Sequence, residues 1–200
     1  MTASSVEPDY AERLRTKQGA WWKRVLDVQM PYRVHIRRQQ LGFVLDVGCG
    51  IGRSLVNLGG ASAGVGVDPN RDAVETCRAR GLVAYTPEEF AASPFAQPGR
   101  FDALLVAHVL EHLTHAAAIA LITEYLPYVR AGGRAMLITP QEAGYRSDPT
   151  HVEFVDLSRL DELARAADLV PERAYSFPFP RALGKVFKYN EFVLLARKSG

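Results

Sequence analysis

One stretch constrains this chain more than any other: Val44-Leu45-Asp46-Val47-Gly48-Cys49-Gly50-Ile51-Gly52. An apolar run that breaks into alternate glycines reads as a buried strand turning sharply into a helix, here Arg53 to Leu58. A second short strand, Ala63 to Val67, ends in Asp68. Glycines at such a turn let the backbone approach a ligand closely. An acid at the tip of the following strand can accept both ribose hydroxyls of a nucleoside. The spacing is G-x-G-x-G. The third glycine of a dinucleotide fingerprint would fall at position 53, which is Arg53. A tight turn that binds nothing is the plain alternative, and strand, glycines, helix, strand and acid in register argue against it.

The rest of the chain continues the alternation. Asn70 to Arg80 reads as a helix with Asn70 as N-cap. Leu82 to Tyr85 is a third strand, Pro87 to Ala92 a short helix, Phe101 to Ala107 a fourth strand and Thr114 to Tyr128 a helix. Arg134 to Thr139 is a fifth strand after the Gly132-Gly133 turn, and Asp156 to Ala167 a helix. Leu169 to Ser176 and Val186 to Arg197 follow one another without a helix, so they read as an antiparallel pair ending the sheet. The expected class is α/β: seven strands, mostly parallel, with helices on both faces. Residues 1–40 stand apart. Basic residues outnumber acids there, with Trp21, Trp22, Val25, Leu26 and Val28 among them, which predicts a helix from Tyr10 to Asp27 and a short one after Pro31. They form a helical cap on a domain spanning 41–200.

Composition limits the partners. Of 200 residues, 48% are hydrophobic and 23% charged, as in ordinary soluble domains. A net charge of +2 gives no field to gather nucleic acid or an anionic membrane. Cys49 and Cys77 make no disulfide framework, and no apolar stretch approaches the roughly 20 residues of a membrane span. The expectation is a cytoplasmic protein that acts on a small molecule and admits a homodimer.

The motifs, in order, resemble those of the class I S-adenosylmethionine-dependent methyltransferases. LDVGCGIGR (Leu45–Arg53) is similar to their first motif and GVGVDPN (Gly64–Asn70) to their second. FDALLVAHVLEHL (Phe101–Leu113) is similar to the strand-four motif, and VRAGGRAMLITP (Val129–Pro140) to the strand-five motif, with Ala131 where proline is usual. The resemblance covers residues 40–197 and implies a Rossmann-like sheet with an antiparallel last strand. It places Asp46, Gly48 and Gly50 at the amino-acid end of the cofactor, with Arg53 on its carboxylate or else facing solvent. Asp68 takes the ribose, flanked by Pro69 and Asn70. Thr86 and Glu88 lie toward adenine. Tyr32 and Arg33 are expected to close over the amino-acid end. Gly48→Val is expected to block cofactor approach while the fold survives.

The acceptor is addressed by the histidines, of which there are five. His108, Glu111 and His112 form H-x-x-E-H after strand four. If helical they share one face, with His108 toward the pocket. The ubiquinone-biosynthesis O-methyltransferases are similar here, with an acid in place of His108. That implies a divalent site, Mg2+ or Mn2+, at Glu111 and His112, although His108 makes it poorer for magnesium. Alternatively His112 only packs. Asp148-Pro149-Thr150-His151 resembles a D-x-x-H segment of small-molecule members, with Asp148 orienting His151. Either His151 or His108 is the expected base for a hydroxyl. Tyr145 and Arg146, with Tyr32, are expected to meet the acceptor. The polar set favours a sugar or saccharide hydroxyl, and the opening is loosely similar to actinobacterial methyltransferases of polysaccharide assembly. The alternatives are a phenol, quinone precursor or amine, or a partner subunit that binds S-adenosylmethionine without transfer.

Overall fold

The computed structural model describes residues 29–199. The helix expected over Tyr10 to Asp27 lies outside them. The elements are α1 (Met30–Arg38), β1 (Val44–Val47), α2 (Arg53–Leu58), β2 (Gly64–Val67), α3 (Arg71–Ala79), β3 (Ala84–Tyr85), α4 (Pro87–Ala91) and β4 (Phe101–Ala107). There follow α5 (His115–Tyr125), β5 (Val129–Pro140), α6 (Glu142–Tyr145), α7 (Leu157–Ala166), β6 (Leu169–Phe177) and β7 (Glu191–Lys198). The seven strands form one sheet in the order β3-β2-β1-β4-β5-β7-β6. β7 runs antiparallel to both its neighbours, and the other pairings are parallel.

Alternation along the strands sends side chains to two cores. On β4, Leu104 and Val106 join Phe90, Ile122, Leu160 and Leu163 on one face. Ala103 and Leu105 join Ile36, Leu41, Met136 and Val193 on the other. Helices thus cover both faces, as alternating strands and helices require. Local caps set the helix starts. Asn70 accepts from Ala73 N–H, Thr86 makes a reciprocal capping box with Glu89, and Asp156 accepts from Arg159 N–H.

Two strand starts differ most from the expected ones, by five residues each. β5 begins at Val129, before the glycine pair, because Val129 already registers with Phe101 and a bulge absorbs the turn. β7 begins at Glu191 and not at Val186. Residues Arg181–Lys185 make a 3-10 turn, and buried Asn190 holds the chain back: its Nδ2 donates to the carbonyls of Phe179 and Pro180 and to Gln141 Oε1.

The strand order reverses between β1 and β4. In an open α/β sheet the crevice beyond the carboxyl ends of those two strands receives the ligand.

Candidate active site

The first half of the crevice is the glycine turn. Gly48, Gly50 and Gly52 have φ of 74°, 52° and 79°, the left-handed region that side chains rarely enter. The Gly48 and Cys49 amides donate to Val67 carbonyl at 2.8 and 3.2 Å, pinning the turn to β2. A Cβ on Gly48 would collide with the Val109 side chain. This corrects the expectation for Gly48→Val. Positive φ and the blocked space together predict a loss of stability of about 1–3 kcal/mol, seen as a lowered melting temperature of the cofactor-free protein, besides the loss of binding.

Two buried carboxylates face this turn without a salt bridge among the described residues. Asp68 accepts from Gly50 N–H at 2.8 Å and from Asn70 N–H at 2.9 Å. Burial nevertheless raises its pKa. Asp46 is buried and its Oδ2 has no partner. Burial first, then the charge of Asp68, pushes its pKa up to about 7, against a smaller opposing effect of Arg53. A pair of desolvated acids this poorly compensated favours a cationic ligand. Arg53 is exposed at the start of α2. On the far side of Asp68, Pro69 is exposed and Asn70 is spent on the α3 cap. The Thr86 hydroxyl is likewise spent on the α4 cap, and Glu88 is exposed.

The sign of the Asp46 shift sets a pH dependence. A cation bound beside Asp46 favours its carboxylate. Below pH 7 the ligand-free protein holds a proton there that binding must release. Affinity for a cationic cofactor should therefore fall as pH drops through about 7, by at most about tenfold per unit for one proton. Calorimetry from pH 8 to pH 5.5 checks this, and Asp46→Asn should flatten the profile.

The second half of the crevice follows β4. The H-x-x-E-H segment is not one helical face. His108 ends the strand at φ 60°, and Leu110–His112 is a 3-10 turn. His108 Nε2 lies 2.8 Å from Glu191 at the start of β7, and its Nδ1 is 3.5 Å from Glu111. Burial draws the imidazole pKa down, but hydrogen bonding and charge from Glu111 and Glu191 outweigh it and raise the value to about 9. With a carboxylate facing each ring nitrogen, His108 favours the imidazolium form and is poorly placed to act as the base. Glu191 was invisible in the sequence: it lies 83 positions from its partner.

Asp148 does not orient His151. Its Oδ1 accepts from the amide and hydroxyl of Thr150, at 3.1 and 2.7 Å. His151 Nδ1 instead lies 2.7 Å from Tyr145 carbonyl. A carbonyl only accepts, so Nδ1 carries the proton and the lone pair of the neutral ring is on Nε2. His112 Nδ1 lies 3.2 Å from Thr150 carbonyl, by the same reasoning the protonated nitrogen. Tyr145 stacks on His151 with ring centroids 5.2 Å apart. One ligand atom each of Glu111, His112 and His151 falls within 4.8 Å of the others. Both Glu111 oxygens are buried, and His108 Nδ1 faces Oε1 at 3.5 Å. Arg146 is exposed and donates to Lys185 carbonyl.

α1 closes one side of the crevice. Tyr32 hydroxyl donates to Tyr189 carbonyl at 2.6 Å, and its ring meets Phe177 edge-on at 5.4 Å. His35 stacks on Phe177, and Arg37 ties α1 to Asn57 carbonyl in α2. The described part of the expected cap, residues 29–40, thus packs on the 41–200 unit.

A glycine turn and an acid after β2, set at the point where the strand order reverses, define a nucleoside-binding site of the α/β class. Residues 44–133 match the profile of a methyltransferase domain family. The chain thus carries a methyltransferase domain over those residues, on the Rossmann-like fold of the S-adenosylmethionine-dependent methyltransferases. It is similar in fold to an S-adenosylmethionine-dependent methyltransferase from Archaeoglobus fulgidus, at TM-score 0.68 and 17% identity over 95% of this chain and 100% of that one. It also resembles the magnesium protoporphyrin IX methyltransferase of Synechocystis PCC 6803 with bound SAH, at TM-score 0.63 and 17% identity over 94% of each chain. A chain of the Haloferax volcanii complex between the Trm112 methyltransferase activator and a methyltransferase gives TM-score 0.67 and 13% identity over 98% and 97%. No curated protein matches in sequence. The residues fit S-adenosylmethionine: the partnerless Asp46 oxygen and its buried neighbour Asp68 suit a ligand that carries a sulfonium, an ammonium and a ribose. No helix among the described residues is long and apolar enough to cross a membrane.

Proposed function

We propose that the chain methylates a hydroxyl of a small molecule, a sugar or oligosaccharide before others, and that the proton leaves at the Glu111–His112–His151 cluster. The cluster itself carries the reading. Its lone-pair nitrogens are set by backbone carbonyls on the other ring nitrogen, and its carboxylate is buried with His108 Nδ1 3.5 Å away. S-adenosylmethionine supplies an electrophilic methyl group, so the protein has to hold the acceptor in line and relieve it of a proton. An alcohol needs that help, whereas a neutral amine brings its own lone pair. Asp46 and Asp68 hold the cofactor's cationic and ribose parts. His108, held between Glu191 and Glu111, places an imidazolium charge beside the acceptor. His151 Nε2 is the group placed to take the proton.

The same three residues would hold a divalent cation, which would lower the pKa of a hydroxyl bound to it. Two imidazoles and one carboxylate suit Mn2+ better than the oxygen-loving Mg2+. The test is a labelled-cofactor assay on saccharides and on phenols, before and after a chelator. Chelator-sensitive activity that manganese restores better than magnesium supports the metal-assisted form. Activity indifferent to chelator leaves His151 as the base. Turnover on phenols with none on saccharides removes the sugar reading.

A further inference from the structure

The loop between β6 and β7 is unlike the rest of the surface. Residues 178–190 contain Arg181, Lys185 and Lys188 and no acid. Its apolar groups point outward: Val186 is 79% exposed, and Phe179, Leu183 and Tyr189 are 43–46% exposed. The rings of Phe179, Phe187 and Tyr189 touch in series at 5.2 and 5.7 Å, and Lys188 Nζ sits 4.9 Å from the Tyr189 centroid. Arg146 adds a cation on the flank. Glu142, the acid nearby, is already bound by Arg181. Neither Lys185 nor Lys188 has an acid within ion-pair distance among the described residues.

The loop is held firmly. Asn190 binds Phe179 and Pro180 from within, and Gly184 is buried against Gln141. It also borders the acceptor crevice, since Tyr189 carbonyl takes the Tyr32 hydroxyl and Glu191 pairs with His108. Outward aromatic and aliphatic groups ringed by unpaired cations match an anionic lipid surface. Rings sit at headgroup level, aliphatic groups just below, and lysines meet phosphates.

We propose that the 178–190 loop docks on an anionic bilayer, turning the mouth of the crevice toward it, and that the acceptor hydroxyl belongs to a molecule anchored in that bilayer. The whole-chain charge of +2, which predicts no membrane partner, conceals this local excess. The statement about the acceptor rests on the hydroxyl reading above, whereas the docking does not.

Co-sedimentation of the full chain with vesicles tests it. Equimolar phosphatidylglycerol and phosphatidylcholine should pull the protein down, and phosphatidylcholine alone should not. Lys185→Gln with Lys188→Gln should weaken partition about 25-fold, roughly fivefold per lysine near a charged surface. Val186→Asp should weaken it further, with S-adenosylmethionine affinity unchanged in each variant as the check on folding. Absence of sedimentation with anionic vesicles overturns the docking, as does sedimentation that the variants do not alter. So does a dimer in solution that Val186→Asp dissociates, since a second copy would then own the patch. If the protein binds vesicles but methylates a free glycoside and not its lipid-linked form, the docking stands and the acceptor assignment falls.

Discussion

Replacing His151 by alanine should lower turnover by about 10²–10⁴-fold, the usual worth of a positioned proton acceptor, and leave S-adenosylmethionine affinity nearly unchanged. The separation follows from the geometry. His151 is held by Tyr145 carbonyl and the Tyr145 ring, on the acceptor side of the crevice. Asp46 and Asp68 belong to the glycine turn. Glu111→Gln extends the test. If the carboxylate helps hold a divalent ion, the variant loses activity as severely as His151→Ala and loses its response to added manganese. If it only supports His108, the loss is smaller and metal-independent. Asp148→Ala should be mild, because that carboxylate serves the Thr150 turn. Steady-state turnover with cofactor calorimetry on the same samples decides between these results, and a His151→Ala enzyme working at wild-type rate would remove the proton-transfer role.

Asp68→Ala should weaken cofactor binding at least 100-fold. Two hydrogen bonds from ribose hydroxyls to a charged acceptor are each worth about 1.5–3 kcal/mol. The same substitution frees the amides of Gly50 and Asn70, which Asp68 now satisfies. The turn then loosens as the ribose contact disappears. The melting temperature of the cofactor-free protein should fall modestly, because burial of Asp68 offsets part of what those bonds contribute. Asp68→Asn separates the effects, since a neutral amide oxygen still accepts but no longer favours a cation. Calorimetric affinity unchanged in Asp68→Ala would sink the assignment of the ribose site.

What the sequence made legible was local. The glycine turn, the Asn70 cap and the alternation of strands and helices each depend on a few neighbouring residues, and each stands where expected. His108 was harder to read for the opposite reason. Its charge is held by nearby Glu111 together with Glu191, and Glu191 is brought alongside by the pairing of β7 with β5, which no spacing rule announces. Asp148 misled through its very nearness to His151. Thr150, between them, offers an amide and a hydroxyl that close a short turn on the carboxylate, so the His had to find another acceptor. Val186 to Asn190 has a strand-like composition, yet Asn190 folds the segment back through bonds to residues ten and eleven positions earlier.

The place of β7 in the sheet has a consequence for assembly. It pairs with β5 on one side and β6 on the other, although it follows both in the chain. As the polypeptide emerges from the ribosome, the glycine turn, both cofactor acids and even His151 are made while the slot beside β5 is still empty. Until residues 191–198 fill it, His108 lacks one of its two counter-charges. The capacity to bind the donor can thus arise during synthesis before the capacity to spend its methyl group.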